Sequence, residues 1–97
     1  MKKTNKVVVN KCYGAAWVEV WVAKYLGLEN SWEFDRTDSR LISLIEEFGT
    51  ETCSSSGSAL TVVTLPEGVT DWRIWSYDGA ETVIFVKDGK LHTDSEL

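Results

Sequence analysis

The sequence predicts an α+β fold, in which a small mixed sheet of four or five strands carries two helices on one face. Three observations predict it. The chain opens on an apolar run at residues 7–9, continues with two segments of helical spacing, and ends on strand-like runs separated by Asp-Gly turns. The expected order is β-α-α-β-β-β with a short final strand. At 97 residues the chain is predicted to form a single domain, 1–97.

The first strand, in KVVVNKCYG at residues 6–14, is apolar enough to have both faces covered. It should therefore lie in the middle of the sheet and deliver polar residues to the sheet edge, where sites form in α/β folds. This position makes Asn10 and Tyr13 candidates for binding a ligand or partner. Cys12, between them, is predicted to be a packing residue.

Residues 15–26 are rich in Val and Trp, which favour strands, but their spacing favours a helix that ends at Gly27. Trp17, Trp21 and Tyr25 repeat every four residues. The predicted helix is apolar nearly all round, so it is either deeply buried or covered by a partner. Trp17 and Trp21 are therefore candidate interface residues.

The second helix is predicted to begin after Asp38, a suitable N-cap, and to end at Gly49. Residues 32–34, in the connection before it, are a candidate for a short strand. The serine-rich residues 50–58 are predicted to form a flexible loop. The buried stripe of the second helix is expected to consist of Leu41, Leu44, Ile45 and Phe48.

The remaining strands are predicted from alternation and from turn residues. Residues 60–65 alternate as a strand and stop at Pro66. Residues 71–77 and 81–86 flank an Asp-Gly pair, the strongest short-range signal of a hairpin. A second Asp-Gly pair, at 88 and 89, leads into a short edge strand at residues 90–92.

A two-residue loop at Asp78 and Gly79 sets the register of this hairpin. One face then carries a core of Trp72, Ile74, Val83 and Phe85. The opposite face is too aromatic for open water, so the first helix, a second subunit or a ligand should cover it. Trp75, Tyr77 and Ile84 are the candidate binding or interface residues there. The predicted cross-strand pairs are Tyr77 with Ala80, Trp75 with Thr82, Ile74 with Val83, Arg73 with Ile84, and Trp72 with Phe85.

Composition and charge narrow the classes of function. A net charge of −5, spread along the chain, disfavours binding to nucleic acid or an anionic membrane and permits a basic protein partner. No segment approaches the roughly 18 apolar residues of a membrane span. The basic residues at the start lead into an apolar run that is too short for a signal peptide. Two cysteines fit a reduced, cytoplasmic compartment.

Signals for chemistry are weak. Cys12 and His92 have the residue types of a nucleophile and a base, but His92 has no recognisable orienting partner. Together with Cys53 they lack the spacing of a zinc site, so no catalytic set, metal or cofactor is predicted. Arg36 and Arg40 precede a helix and could bind a phosphate, although pairing with the neighbouring aspartates is the simpler interpretation.

Three segments occur in a suggestive order: KVVVNKCYG at 6–14, DRTDSRLISLIEEFG at 35–49, and LTVVTLP with WRIWSYDGAE at 60–66 and 72–81. Together they resemble a family of small, uncharacterised proteins of tailed bacteriophages and prophages. The chain departs from that family at Ala15, where a second glycine is usual, and at Ser39, where proline is common. The resemblance implies a phage context and a fold, but no residue roles.

These observations predict a non-catalytic, phage-encoded binding protein that acts on a host protein or assembly in the host cytoplasm, for example as an inhibitor of antiviral defence. A second hypothesis is a homo-oligomer that sequesters a nucleotide or another phosphorylated ligand between subunits, near Asn10, Tyr13, Arg36 and Arg40. A homodimer or larger assembly is expected because the first helix and the outer hairpin face both need cover.

Overall fold

The computed structural model describes residues 5–97. Lys2 and Lys3, which entered the signal-peptide argument, lie outside this range. The α+β class and the predicted order of strands and helices are confirmed, with one added helical turn. The elements are β1 (Lys6–Asn10), α1 (Val20–Leu26), α2 (Ser39–Phe48), α3 (Thr50–Cys53), β2 (Leu60–Thr64), β3 (Val69–Tyr77), β4 (Ala80–Lys87), β5 (Lys90–Thr93) and a final 3₁₀ turn (Asp94–Glu96).

The strands form two antiparallel sheets where a single mixed sheet was expected. One sheet pairs β1 with β2, and the other has the order β3-β4-β5. The apolar character of β1 explains the division. Val8 faces the helices, whereas Val7 and Val9 face the opposite way and pack with Val83 and Phe85 of the second sheet. The helices, the two-stranded sheet and the three-stranded sheet therefore form three layers.

The prediction that both faces of β1 are covered is thus confirmed, although β1 is not the middle strand of a larger sheet. Val7, Val8 and Val9 are at most 1% exposed. The edge of β1 opposite β2 is met by irregular backbone, because the Val8 amide donates a 2.8 Å hydrogen bond to the Arg36 carbonyl. Residues 32–34, within the described range, form a turn and irregular backbone instead of the suggested strand.

The first helix is shorter than predicted. It ends as expected at Gly27, whose left-handed backbone lets its amide bond back to Ala23 and Lys24. It begins only at Val20, because the two preceding amides already have partners outside a helix. Val18 donates to the Ser31 carbonyl, and Glu19 donates to the Cys53 carbonyl.

The second helix begins as predicted, since the Asp38 side chain accepts a hydrogen bond from the Arg40 amide. Its buried stripe differs from the predicted one: Ile42 is buried, Leu44 is only partly buried, and Phe48 is half exposed. The serine-rich segment is more ordered than predicted. It contains α3, and the Ser54 hydroxyl accepts a 2.8 Å hydrogen bond from the Leu60 amide.

The register of the β3–β4 hairpin is confirmed at every predicted pair. Both residues of its loop, Asp78 and Gly79, have positive φ, at 50° and 88°, as a type I′ turn requires. The Gly14 amide donates a 2.9 Å hydrogen bond to the Asp78 carbonyl. A side chain at position 79 would collide with the Gly14 carbonyl, so glycine is required there for close approach as well as for its backbone angle.

Candidate binding surfaces

Asn10, at the end of β1, has a structural role. Its side chain is fully buried, and its amide nitrogen donates to the carbonyls of Cys12 and Gly79, each at 2.9 Å. Its carbonyl oxygen accepts a 2.8 Å hydrogen bond from the Ala59 amide. Asn10 therefore links three segments of backbone and leaves no polar atom open to a ligand. Tyr13, in the adjoining turn, has an exposed side chain.

Beside Asn10, a buried carboxylate joins the layers. The Glu81 carboxylate of β4 accepts a 2.7 Å hydrogen bond from the backbone amide of Asn10. It also forms a bidentate ion pair with the Arg36 guanidinium group, in which one of the two hydrogen bonds is 2.8 Å long. Lys11 completes the cluster by bonding the Glu81 carbonyl and the Asp94 carboxylate. The polar edge predicted from the sequence is real, but its groups bind one another.

The two arginines considered for a phosphate are likewise engaged within the chain. Arg36 also lies 4.8 Å from the Phe34 ring centroid and donates to the Val8 carbonyl. Arg40 forms an ion pair of 2.9 Å with Asp38, and this hydrogen bond lowers the pKa of Asp38 below its ordinary value. The structure thus joins Asn10 and Arg36 through Glu81, and places Arg40 in a separate pair at the start of α2.

Cys53 and His92 lie in different surroundings. The Cys53 thiol is buried, and this burial raises its pKa, so it stays protonated and is a poor nucleophile. His92 stacks on Phe85 at 5.4 Å and contacts the Glu96 carboxylate at 3.0 Å. Among residues 5–97, no group of three or more His, Cys, Asp or Glu is arranged to hold a metal ion. Within the same range, no helix is both long and apolar enough to cross a membrane.

The first exposed surface lies on the helical layer, and we call it the helical aromatic surface. Trp17 packs against Trp32 with ring centroids 5.3 Å apart, and Trp21 meets Phe48 edge-on at 6.1 Å. Both pairs flank residues 52–55, because the Trp17 carbonyl accepts from the Ser55 amide and the Trp21 indole donates to the Thr52 carbonyl. All four rings stay about half exposed. The surface consists of Trp17, Trp21, Tyr25, Trp32 and Phe48.

The part of the chain that carries this surface is strongly acidic. Residues 15–53 carry eight carboxylates and three cations, a net charge of −5 that equals the charge of the whole chain. Two of those cations, Arg36 and Arg40, are held by carboxylates of the chain itself. The rings are flanked in sequence by exposed carboxylates at Glu29, Glu33, Glu47 and Glu51.

The second exposed surface is the outer sheet face, on the side of the β3-β4-β5 sheet that points away from β1. Its aromatic end carries Trp75 and Tyr77, stacked at 6.3 Å and 56% and 60% exposed. At the other end, Leu91 of β5 lies opposite Val86 and is 73% exposed. A shallow groove at this end is lined by Asp71, Trp72, Arg73, Ile84, Val86 and Leu91.

The first helix does not cover the outer sheet face, since the helices lie on the far side of the β1–β2 sheet. The sequence suggested that the first helix, a second subunit or a ligand covers this face. With the first helix excluded, a second subunit or a ligand remains. Trp17 and Trp21 belong to one exposed surface, and Trp75, Tyr77 and Ile84 belong to the other. The candidate interface residues are thus divided between two sides of the molecule.

Comparisons with protein-family models, with curated proteins and with solved structures returned no match. The resemblance to phage proteins therefore stays a prediction from the quoted segments.

Two residues of these sites, Glu81 of the buried cluster and Trp32 of the helical aromatic surface, were not predicted from the sequence. Glu81 reads as an ordinary strand glutamate beside a turn, yet the predicted hairpin register places it on the same face as Val83 and Phe85, which was a usable signal of burial.

Proposed function

We propose that this protein is a non-catalytic binding protein that holds a basic segment of a partner protein on its helical aromatic surface. One observation carries the proposal: exposed aromatic rings and eight of the chain's 15 carboxylates fall within the same residues, 15–53. Exposed aromatic groups of this kind are typical of binding surfaces and not of free monomer surface.

The chemistry of such a surface suits lysine and arginine side chains. A cation placed over an exposed Trp or Tyr ring gains about 0.5–1 kcal/mol, and neighbouring carboxylates add Coulombic attraction. The apolar stems of lysine and arginine can also lie along the rings. A basic amphipathic helix or an extended basic loop would meet all three requirements, and the negative charge of residues 15–53 would speed its encounter.

The same geometry weighs against the alternative of a sequestered phosphorylated ligand. An anion would compete with Glu81 for Arg36 and with Asp38 for Arg40, because both guanidinium groups are already paired. The acidic residues around the helical layer would repel it as well. Sequestration remains the second hypothesis, without a contact in this structure that favours it.

The resemblance to phage proteins supports a bacterial host protein as the partner. Inhibition of an antiviral defence assembly is the consequence we propose, because a small protein without a catalytic set acts by occupying a surface of its target. A groove that binds nucleic acid on such an assembly would be basic, because it neutralises phosphates. An acidic surface like this one would complement it in charge.

The proposal is tested by affinity capture from host lysate at low and high salt. We expect wild-type protein to capture a protein with a basic surface, and raised salt to release it. A triple variant, E33Q/E47Q/E51Q, should lose at least ten-fold in affinity for that protein, measured by titration of the purified partner. Each glutamine keeps the shape of the glutamate that it replaces and one acceptor oxygen, and it removes the charge.

A matched control distinguishes the effect of losing carboxylates within residues 15–53 from the effect of losing the same negative charge elsewhere. The variant E67Q/D78N/D88N removes the same number of negative charges from exposed positions outside residues 15–53. It should bind the partner within about two-fold of wild type, since screening limits interactions beyond roughly 10 Å. Equal losses in the two triple variants, or capture that ignores salt, would contradict the proposed surface.

A further inference from the structure

We infer that the outer sheet face is the contact between two copies of this chain in a two-fold symmetric dimer. The inference does not rest on the proposed function, because the two exposed surfaces belong to different layers. Three properties of the face favour a second copy as its partner: its shape, its area and its charge.

The two ends of the face differ in shape. The Trp75–Tyr77 stack stands at the turn end of the hairpin, while the shallow groove beside Arg73 and Leu91 lies at the other end. Ile84 lies between the two ends, opposite Arg73 in the register. A two-fold axis near Ile84 would place the aromatic stack of each copy in the groove of the other, which is the reciprocal arrangement of an isologous interface.

The exposed area favours a contact of this kind. At roughly 200 Å² for a whole aromatic side chain, the exposed parts of Trp75 and Tyr77 supply roughly 230 Å². Leu91, which is 73% exposed, and the exposed Arg73 add to this area, toward the roughly 600 Å² that each copy contributes at the lower end of the range for specific interfaces. Self-association through this face would also cover the apolar surface that the small domain leaves exposed.

The charge of the face allows two copies to meet although each chain carries −5. The outer side of the sheet carries both Arg73 and Asp71, two positions apart on β3, so its charges cancel. In the two-fold arrangement, Arg73 lies near the axis with its counterpart, and the Asp71 carboxylate and Trp75 ring of the other copy on either side offset the two guanidinium charges. Identical acidic surfaces on the helical layer are meanwhile kept apart, which lowers repulsion.

The first test is the mass in solution, measured by sedimentation equilibrium at tens of micromolar. Wild-type protein should be a dimer. Trp75→Ser should raise the dimer dissociation constant at least ten-fold, and Trp32→Ser, an exposed tryptophan on the helical layer, should leave it within about two-fold of wild type. Circular dichroism must show that both variants are folded. A monomeric wild type, or equal weakening by both substitutions, would overturn the inference.

A second test uses cross-linking to check the orientation. Thr82 lies beside Trp75 at the aromatic end, and Leu91 lies at the groove end. In a background in which Cys12 is replaced by Ser, we mix Thr82→Cys protein with Leu91→Cys protein and oxidise. Disulfide-linked pairs should form between the two proteins at least five-fold faster than within either protein alone. Faster linking within one variant would place the wrong ends together and refute the two-fold arrangement.

Discussion

At the scale of single residues, the end of β1 is held in place by a few polar groups that are buried away from solvent. Asn10 supplies donors and an acceptor to backbone groups of three segments, and Glu81 receives one amide and one guanidinium group. Such buried groups are costly when left unpaired, so they specify one arrangement of the layers.

Asn10→Ala should therefore be strongly destabilising. It removes the partners of the Gly79 carbonyl and the Ala59 amide, and we expect a loss of about 3 kcal/mol in the free energy of unfolding, measured with urea. Asn30→Ala is the matched control, because the Asn30 amide bonds Glu33 at the surface. Its effect should stay within about 0.5 kcal/mol. Similar losses in the two variants would show that Asn10 is not a buried link.

Gly79→Ala tests the close approach of the hairpin turn to the chain after β1. Both Gly79 and Gly89 have positive φ, but only at Gly79 would an added methyl group meet backbone, that of Gly14. Gly89→Ala should cost about 1–2 kcal/mol from backbone conformation alone. Gly79→Ala should cost about 1–3 kcal/mol more, because the turn must move away. Thermal unfolding of the two variants makes the comparison, and equal melting temperatures would contradict the predicted contact.

At the scale of elements, the sequence predicted the hairpin register and several helix ends, which are features set by local geometry. The Asp-Gly turn and strict alternation gave the hairpin register, and Asp38 and Gly27 gave helix ends, because each depends on neighbouring residues only. The start of α1 could not be predicted in this way. Val18 and Glu19 are held extended by carbonyls at Ser31 and Cys53, and such long-range bonds leave no periodic trace in the sequence.

The N-cap of α2 gives a prediction about pH. The Arg40 hydrogen bond lowers the pKa of Asp38 in the folded protein, so the stabilisation is complete above the unfolded pKa of about 3.9 and is lost as pH falls through the lower folded value. Asp38→Asn keeps the cap but has no charge. It should be slightly less stable than wild type at neutral pH, and the difference should shrink to nothing in acid. Asp38→Ala should lose about 1 kcal/mol at either pH.

Urea unfolding of these proteins at neutral pH and in acid measures the effect. A difference between wild type and Asp38→Asn that grows in acid would have the wrong sign. A loss in Asp38→Asn as large as that in Asp38→Ala would show that the charge, and not the cap, stabilises the start of the helix.

At the scale of the whole molecule, three layers leave two exposed surfaces of different character. The helical layer presents aromatic rings within an acidic part of the chain, and the outer sheet face presents an aromatic and aliphatic surface on which Arg73 and Asp71 balance in charge. The sequence predicted that both apolar segments needed cover. It could not predict their separation, because the division into two sheets depends on packing on both sides of β1.

The most direct test of this account is a crossed comparison of Trp32→Ser and Trp75→Ser, with dimer mass and affinity for the captured partner measured for each. We predict that Trp32→Ser weakens partner binding at least ten-fold and leaves the dimer intact. Trp75→Ser should dissociate the dimer while each monomer binds the partner with its intrinsic affinity within about three-fold of wild type. If either substitution impairs both properties equally in folded protein, the two surfaces do not act separately and the account is wrong.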